Sequence, residues 1–415
     1  MYSLYLHIPF CRHRCAYCDF NTYAGLSPLI PAYVQALCCE IAFYRLIPPL
    51  PVHTVYFGGG TPSLLPLEAF AQIFSSLRSA FDLQPSAEVS LEANPGTLHL
   101  DYLCGLRQLG FNRISLGMQS ARPNELRLLE RRHQAEDVAQ AVVWARQAGF
   151  ANLSLDLIFG LPSQALTDWQ YSLESALAMQ PQHLSLYALT VEEGTPFGAW
   201  VQGGLLPEPD ADLAADMYDF ASDRLAAAGF MQYEISNWAR DGEAPGGRPG
   251  AVGCASPREA CAHNLQYWRN RPYLGLGAGA HGYLASGAAG AGSGGLRVAN
   301  VSLPQDYISC LRAGEASSPA AMLHPSPAVA TATPIDRAAE MSETMIMGLR
   351  LTAEGVSEAL FRQRFGQGLL ACYGDAISRL IGQGLLEWAG DAHEILRLTR
   401  RGRLLGNQVF MAFLA

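Results

Sequence analysis

From residue 2 to about residue 190 the chain repeats one unit: a short apolar run, a turn, then a stretch whose apolar positions recur at helical spacing. The runs are Ser3 to Ile8, His53 to Phe57, Glu88 to Glu92, Arg113 to Leu116, Asn152 to Ile158 and His183 to Tyr187. Each predicts a strand, and each is followed by a candidate helix of about 10 to 17 residues. Strands alternating with helices imply parallel βα units with right-handed crossovers, and six in succession predict an α/β fold, an open partial (β/α)6 barrel. In such folds chemistry gathers at the carboxyl ends of the strands.

After residue 195 the pattern loosens. One amphipathic helix is predicted from about Ala211 to Ala228, followed by the polar-aromatic stretch Tyr233 to Trp238. Three low-complexity stretches, Asp241 to Ala262, Ala285 to Gly295 and Ala316 to Thr333, are expected to be mobile loops, since Gly, Ala, Pro and Ser bury little. From Ile335 the spacing predicts helices at about 335–350, 355–364 and 368–384, a hairpin around Leu386 to Leu398 and a last helix. The expected domains are 1–195, a partial barrel; 196–334, a connecting region; and 335–415, a small C-terminal α+β domain open to a winged-helix arrangement.

Hydrophobic residues make up 49% of the 415 positions and charged ones 16%, so the chain reads as globular rather than disordered. All 28 basic residues are arginine. Without lysine there is no Schiff-base enzyme, no internal lysine for pyridoxal phosphate and no P-loop lysine; the bias itself reads as genomic base composition. The net charge is −9 and the arginines are scattered, so no nucleic-acid partner is expected. No apolar run of membrane-spanning length and no signal peptide is visible, which predicts a soluble, cytoplasmic protein. Ten cysteines are too dilute for a disulfide scaffold, and a reducing compartment would keep them as thiols.

Three of those cysteines stand together as Cys11-x-x-x-Cys15-x-x-Cys18, just after the first strand. Three thiolates on one loop can grip three irons of a [4Fe-4S] cube and leave the last iron open to another ligand. Zinc is the competing metal, with His7 or His13 as nitrogen ligands, although no second cysteine pair closes a four-ligand site. Three unconnected thiols are the remaining alternative. Gly58-Gly59-Gly60-Thr61-Pro62, directly after the second strand, is expected to let backbone amides approach a charged amino-acid moiety without Cβ obstruction.

The cysteine loop after the first strand of a partial barrel resembles the radical SAM superfamily, whose members cleave S-adenosylmethionine at the open iron. Tyr5-Leu6-His7-Ile8-Pro9-Phe10-Cys11 and Cys18-Asp19-Phe20 resemble the branch containing the oxygen-independent coproporphyrinogen dehydrogenases and the HemW-type heme chaperones. The resemblance runs over nearly the whole chain apart from insertions. It implies a [4Fe-4S] cluster on Cys11, Cys15 and Cys18. It places Tyr5 near the adenine, Gly59, Gly60 and Thr61 at the methionine amino group, and Glu92 at the cofactor's polar edge, with Gln119, Arg131 and Asp156 completing the set. Carboxylates can accept from ribose hydroxyls or an ammonium, and Arg131 can fork onto a carboxylate. Asp156, inside the apolar run Leu153 to Phe159, is expected to need a bound ligand or an arginine to satisfy it. His7 is expected to be a core residue.

Two features separate the members of the branch. The porphyrinogen dehydrogenases resemble one another in a fourth cysteine two positions after the third, where this chain has Phe20. His263-Asn264-x-x-Tyr267-Trp268 matches the HNxxYW signature of the heme-binding group, and an imidazole can ligate heme iron while Tyr and Trp supply a flat apolar surface. A capped helix with two packed aromatics would look the same locally. Gly275 to Gly282 resembles the family's Gly-rich loop, with His281 either a second iron ligand or a loop hydrogen-bonder. The chain departs from the family over Asp241 to Ala262, which brings Cys254 and Cys261 close before His263; these are read as loop thiols without a role, with metal binding or covalent reaction with heme vinyls as the alternative, and no CxxCH attachment motif is present.

The resemblance thus implies a heme chaperone with a [4Fe-4S] cluster, S-adenosylmethionine and heme as cofactors, and heme and acceptor hemoproteins as partners. A transient membrane-protein contact and a homodimer stay open. The alternatives are a coproporphyrinogen III dehydrogenase working through a 5′-deoxyadenosyl radical and a radical SAM enzyme acting on an unrelated substrate. No catalytic residue is assigned, and whether the chain is an enzyme is left undecided.

Overall fold

The structure, a computed structural model, describes residues 1–241, 256–285, 294–312, 323–390 and 394–414. It divides into two compact units: Met1–Ala221 with Tyr273–Leu284 and Val298–Ala332, and Ser222–Pro272 with Ala285–Arg297 and Thr333–Ala415.

In the first unit the six expected strands form as β1 (Tyr2–Ile8), β2 (Leu50–Gly59), β3 (Phe81–Ala93), β4 (Arg113–Gln119), β5 (Asn152–Phe159) and β6 (His183–Ala188). Neighbours pair in parallel in this order, with Leu6 opposite Phe57, Phe57 opposite Leu91, Leu91 opposite Ile114, Ile114 opposite Leu153 and Leu155 opposite Leu184. Helices α1 (Ile30–Phe43), α2 (Leu67–Ala80), α3 (Leu100–Leu109), α4 (Ala135–Gln147) and α5 (Leu166–Ala178) supply the crossovers. Pattern explains them: α2 buries Ala69, Phe70, Ile73, Phe74 and Leu77, a stripe at helical spacing. Phe57 of β2 meets Phe70 and Phe74 there, and Phe111 closes the cluster, with ring centroids 5.1 to 5.9 Å apart. Gly110, at φ +117°, ends α3 in the left-handed conformation that glycine adopts most readily.

The sheet also grows from the other side of β1, beyond what the periodicity predicts. β7 (Tyr273–Leu276) pairs in parallel with β1, Ser3 opposite Tyr273, and the order continues through β8 (His281–Ala285), β9 (Gly295–Asn300) and β10 (Val329–Ile335). The stretch Ala316 to Thr333 is therefore not loop throughout, since its end from Val329 is strand. Glu40 of α1 fastens this return segment: it accepts from Gly277 N–H at 2.8 Å, Tyr307 Oη at 2.6 Å, and Asn300 Nδ2 and Ser326 Oγ, both at 2.8 Å. A buried carboxylate is tolerated because every oxygen is met by donors.

In the second unit the strands Phe230–Glu234 and Asn237–Arg240 pair antiparallel. The C-terminal part has the expected helices, at Arg337–Gly348, Glu358–Phe365 and Leu369–Gly382, and the expected hairpin, Leu386–Ala389 with Ile395–Leu398, joined by Val356–Ser357 into a three-stranded sheet. Met345, Phe361, Phe365, Ile377, Leu380, Leu396 and Leu398 form its core. Among the described residues no helix is long and apolar enough to cross a membrane.

Candidate cofactor site

The cysteine loop is held closed at its root. Phe10–Cys11 bridges to Tyr23–Ala24, and Tyr23 N–H donates to the Pro9 carbonyl at 2.7 Å, so residues 12–22 loop out from a fixed base at the carboxyl end of β1. Within the loop Cys18 N–H donates to the Cys15 carbonyl at 3.1 Å. Polar groups surround the sulfurs: Thr61 Oγ1 lies 3.6 Å from Cys11, Thr22 Oγ1 3.8 Å from Cys18 and also near Cys11, and Arg131 Nη1 donates to Cys15 at 3.5 Å beside the Tyr17 hydroxyl. Burial pushes the Cys11 thiol up, and the nearby Cys18 and Cys15 add to this while Thr61 opposes it.

The nitrogen ligands that zinc would require are engaged elsewhere. His7 Nε2 donates to the Asn21 carbonyl at 2.9 Å, which leaves Nδ1 to accept from Tyr5 Oη at 3.0 Å; the imidazole is a core residue, with its pKa lowered by burial. His13 pairs with Glu130 at 3.3 Å. Among the described residues no three His, Cys, Asp or Glu side chains could hold a single metal ion. A cube makes a different demand, since each thiolate grips its own iron, and the donor set of three thiols on one loop fits that demand.

The glycine run after β2 is sterically required. Gly59 has φ +113°, and a Cβ there would stand 2.6 Å from the His7 ring, while one on Gly60 would stand 2.7 Å from the Phe10 carbonyl. Its amides are already used: Gly59 N–H donates to Glu92 Oε2 at 3.1 Å, Gly60 N–H to the Ile8 carbonyl at 2.8 Å and Thr61 N–H to the Phe10 carbonyl at 2.9 Å. Glu92 Oε1 also accepts from Tyr56 Oη at 2.8 Å. Burial lifts the Glu92 carboxyl to about 7, with Tyr56 pulling down and nearby Asp156 pushing up.

Asp156 is satisfied differently from the sequence expectation. Its oxygens accept from Ser115 Oγ at 2.8 and 2.9 Å, and Ser154 and Ser185 also bond it, so three serines take the place expected for an arginine or a ligand. Burial still raises its pKa. Gln119 ends β4 at φ +64°, the left-handed region that a non-glycine residue occupies only where its surroundings impose it. Arg131 Nη2 donates to the Gly117 carbonyl at 2.9 Å, and its buried Nε has no partner. An orphaned guanidinium nitrogen beside the cysteines is the kind of donor that a ligand carboxylate fits. Gly59, Gly60, Thr61, Glu92 and Gln119 thus stand at or just beyond the carboxyl ends of parallel strands β2 to β4, Tyr5 and Asp156 lie within β1 and β5, and Arg131 follows the short helix Pro123–Leu128 after β4, all in the unit that carries the cysteines. Sequence reasoning missed Tyr17, Thr22, Tyr56 and the serines; the signal for the serines is polar residues facing one another on otherwise apolar strands, Ser115 opposite Ser154 and Asp156 opposite Ser185.

Phe20 is 63% exposed. In the second unit His263, Asn264, Tyr267 and Trp268 lie on the helix Ala262–Trp268. His263 is 1% exposed, and its Nε2 hydrogen-bonds Tyr267 Oη at 2.8 Å with the rings edge to face. Arg350 stacks over Trp268 at 4.4 Å, and the buried Trp268 Nε1 has no partner. Cys261 is buried at the start of this helix, its N–H donating to Tyr233 Oη at 3.3 Å; Cys254 lies outside the described residues, as do 242–253 of the same insertion. His281, by contrast, is exposed.

Residues 5–176 match the model of the radical SAM superfamily, and 335–405 that of the HemN C-terminal domain. The chain is 35% identical to heme chaperone HemW of Bacillus subtilis (strain 168), across 100% of this chain and 99% of that protein. It is 38% identical to heme chaperone HemW of Mycobacterium tuberculosis (strain ATCC 25618 / H37Rv), across 100% and 95%. Among solved structures it resembles the coproporphyrinogen III oxidase HemN of Escherichia coli, a radical SAM enzyme, with a TM-score of 0.77 at 22% identity over 99% of this chain and 89% of the other, a likeness of fold. With its thiol loop, its parallel strand ends and relatives matched from end to end, the chain belongs to the HemW family of the radical SAM superfamily.

Proposed function

We propose that this protein binds heme and passes it to hemoproteins in the cytoplasm, and that it carries a [4Fe-4S] cluster on Cys11, Cys15 and Cys18 together with S-adenosylmethionine. The observation that carries the reading is the end-to-end match with relatives named heme chaperone HemW, in a chain that retains the HNxxYW helix. When bound, a cluster with an open iron supplies an electron to S-adenosylmethionine. The chain's own residues do the holding. Because the amides of Gly59, Gly60 and Thr61 are spent, this run can offer an ammonium only acceptors, its carbonyls and the Thr61 hydroxyl. Glu92 and Asp156 accept from hydroxyl or ammonium donors, the orphaned Arg131 Nε faces a carboxylate, and Tyr5 borders the adenine.

Heme is assigned to His263, Asn264, Tyr267 and Trp268. Ligation through His263 Nε2 requires the Tyr267 hydroxyl to give up its bond. In this reading 1–195 is the cofactor domain, 196–334 carries the heme motif and 335–415 is a C-terminal domain; a membrane-protein acceptor and a homodimer are compatible with it. The dehydrogenase reading is weaker because Phe20 occupies the position of the fourth cysteine. Anaerobic reconstitution with iron and sulfide, followed by heme titration and assay for 5′-deoxyadenosine and porphyrin products, tests the choice. Saturable, stoichiometric heme binding that His263→Ala abolishes is expected; decarboxylation of coproporphyrinogen would overturn the chaperone reading.

A further inference from the structure

The Gly-rich segment Gly275 to Gly282 is given no task by either cofactor reading, yet it reaches the cysteine loop. Asn21, three residues after Cys18, spends both side-chain polar atoms on this contact or on orienting it. Its Nδ2 donates to the carbonyls of Ala278 at 3.1 Å and Ser302 at 3.0 Å, its Oδ1 accepts from Tyr23 Oη at 2.9 Å, and its own carbonyl accepts from His7. The approach is possible because residue 279 is glycine: at φ +73°, a Cβ there would run into Asn21 Nδ2. The far side is anchored. Gly277 is bonded to Glu40 and Asn300, and Ala278 N–H donates at 2.9 Å to Tyr33 Oη, which itself donates at 2.7 Å to the His7 carbonyl on β1.

We propose that Asn21, seated on Gly279, is a positioning residue for the cysteine loop: it ties the loop's far end to the Glu40-anchored return segment and so orders the three thiols before metal arrives. Three ligands on a free loop must be ordered when iron binds, which weakens binding; a loop already tied down does not incur that cost. The inference rests on the reading that these cysteines hold a cluster. It extends to the return segment the rule that groups behind the ligands tune a metal site.

The test uses Asn21→Asp, which keeps the side chain's size but turns an oxygen toward two carbonyls, and Gly279→Ala, 258 positions away. Tyr23→Phe removes the hydroxyl that orients Asn21 and also reaches the Ser302 carbonyl of the return segment at 3.3 Å, and guards against misfolding in the other two. Each full-length protein is reconstituted anaerobically, iron and sulfide per chain are measured, and iron loss to a chelator is timed, with circular dichroism as the fold control. Iron loss on the order of tenfold faster is expected for the first two, about threefold faster for Tyr23→Phe, and no further gain in the Asn21→Asp, Gly279→Ala double variant. Wild-type loss rates in all three single variants, or effects that multiply in the double, would overturn the inference. Wild type that takes up no iron would instead overturn the cluster reading beneath it.

Discussion

At the scale of single residues the two cofactor readings depend on groups whose state is set by their surroundings. Glu92 has its carboxyl lifted by burial from the ordinary 4.5 to about 7. The folded protein therefore holds a proton there that the unfolded chain has lost, so this group's contribution is complete below about pH 4.5 and is lost as pH rises through about 7. Glu92→Gln in the apo-protein removes that slope: relative to wild type the variant gains up to about 3 kcal/mol between pH 4 and pH 8, read from urea midpoints across pH. Parallel curves would mean that Glu92 titrates normally. Tyr267 offers a second test. Its hydroxyl occupies His263 Nε2, so Tyr267→Phe frees the nitrogen and tightens heme binding about fivefold, the equivalent of one hydrogen bond near 1 kcal/mol. Weaker binding in a titration would show that the hydroxyl serves heme rather than competing with it.

At the scale of elements, what was legible in the sequence follows from burial. Strands β1 to β6 are largely buried, so they read as apolar runs such as Leu153 to Phe159; the predicted bounds agree to within about three residues for five of them, whereas β3 begins at Phe81 rather than Glu88 because Asp82, Gln84, Pro85 and Ser86 break the apolar pattern. Strands β7 to β10 do not show in the pattern because β7 to β9 each carry a glycine, as in Tyr273-Leu274-Gly275-Leu276, and β10 lies at the end of a stretch rich in Ala, Pro and Ser. The cysteine triad was legible because spacing alone carries it; Thr22, Tyr56 and the serines around Asp156 were not, because they meet their partners only through strand register. Gly275 shows what that packing demands. A Cβ there would collide with the His281 carbonyl, so Gly275→Ala should destabilise by about 3 kcal/mol. At Gly382, ending a helix with open space around it, the same substitution should stabilise by about 0.5–1 kcal/mol. Urea midpoints that move in the same direction for both would contradict this account.

At the scale of the whole molecule the two candidate sites are distributed between two compact units: the cysteines and the S-adenosylmethionine residues belong to the unit that holds β1 to β7, and the HNxxYW helix to the other. Each site is assembled from its own surroundings. Cys15 is held by Arg131, and His263 by Tyr267, with Trp268 stacked under Arg350. Removing either ligand therefore leaves the bonds named for the other site in place. Cys15→Ala should abolish iron–sulfur absorbance after reconstitution and leave heme affinity within about threefold of wild type, a difference below 1 kcal/mol. His263→Ala should abolish stoichiometric heme binding while iron and sulfide content stay at the wild-type level. Titrating both apo- and cluster-loaded protein with heme completes the comparison. A heme affinity that changes tenfold or more with cluster loading would establish an energetic coupling of at least 1.4 kcal/mol between the sites, and loss of that change in Cys15→Ala would trace it to the cluster itself.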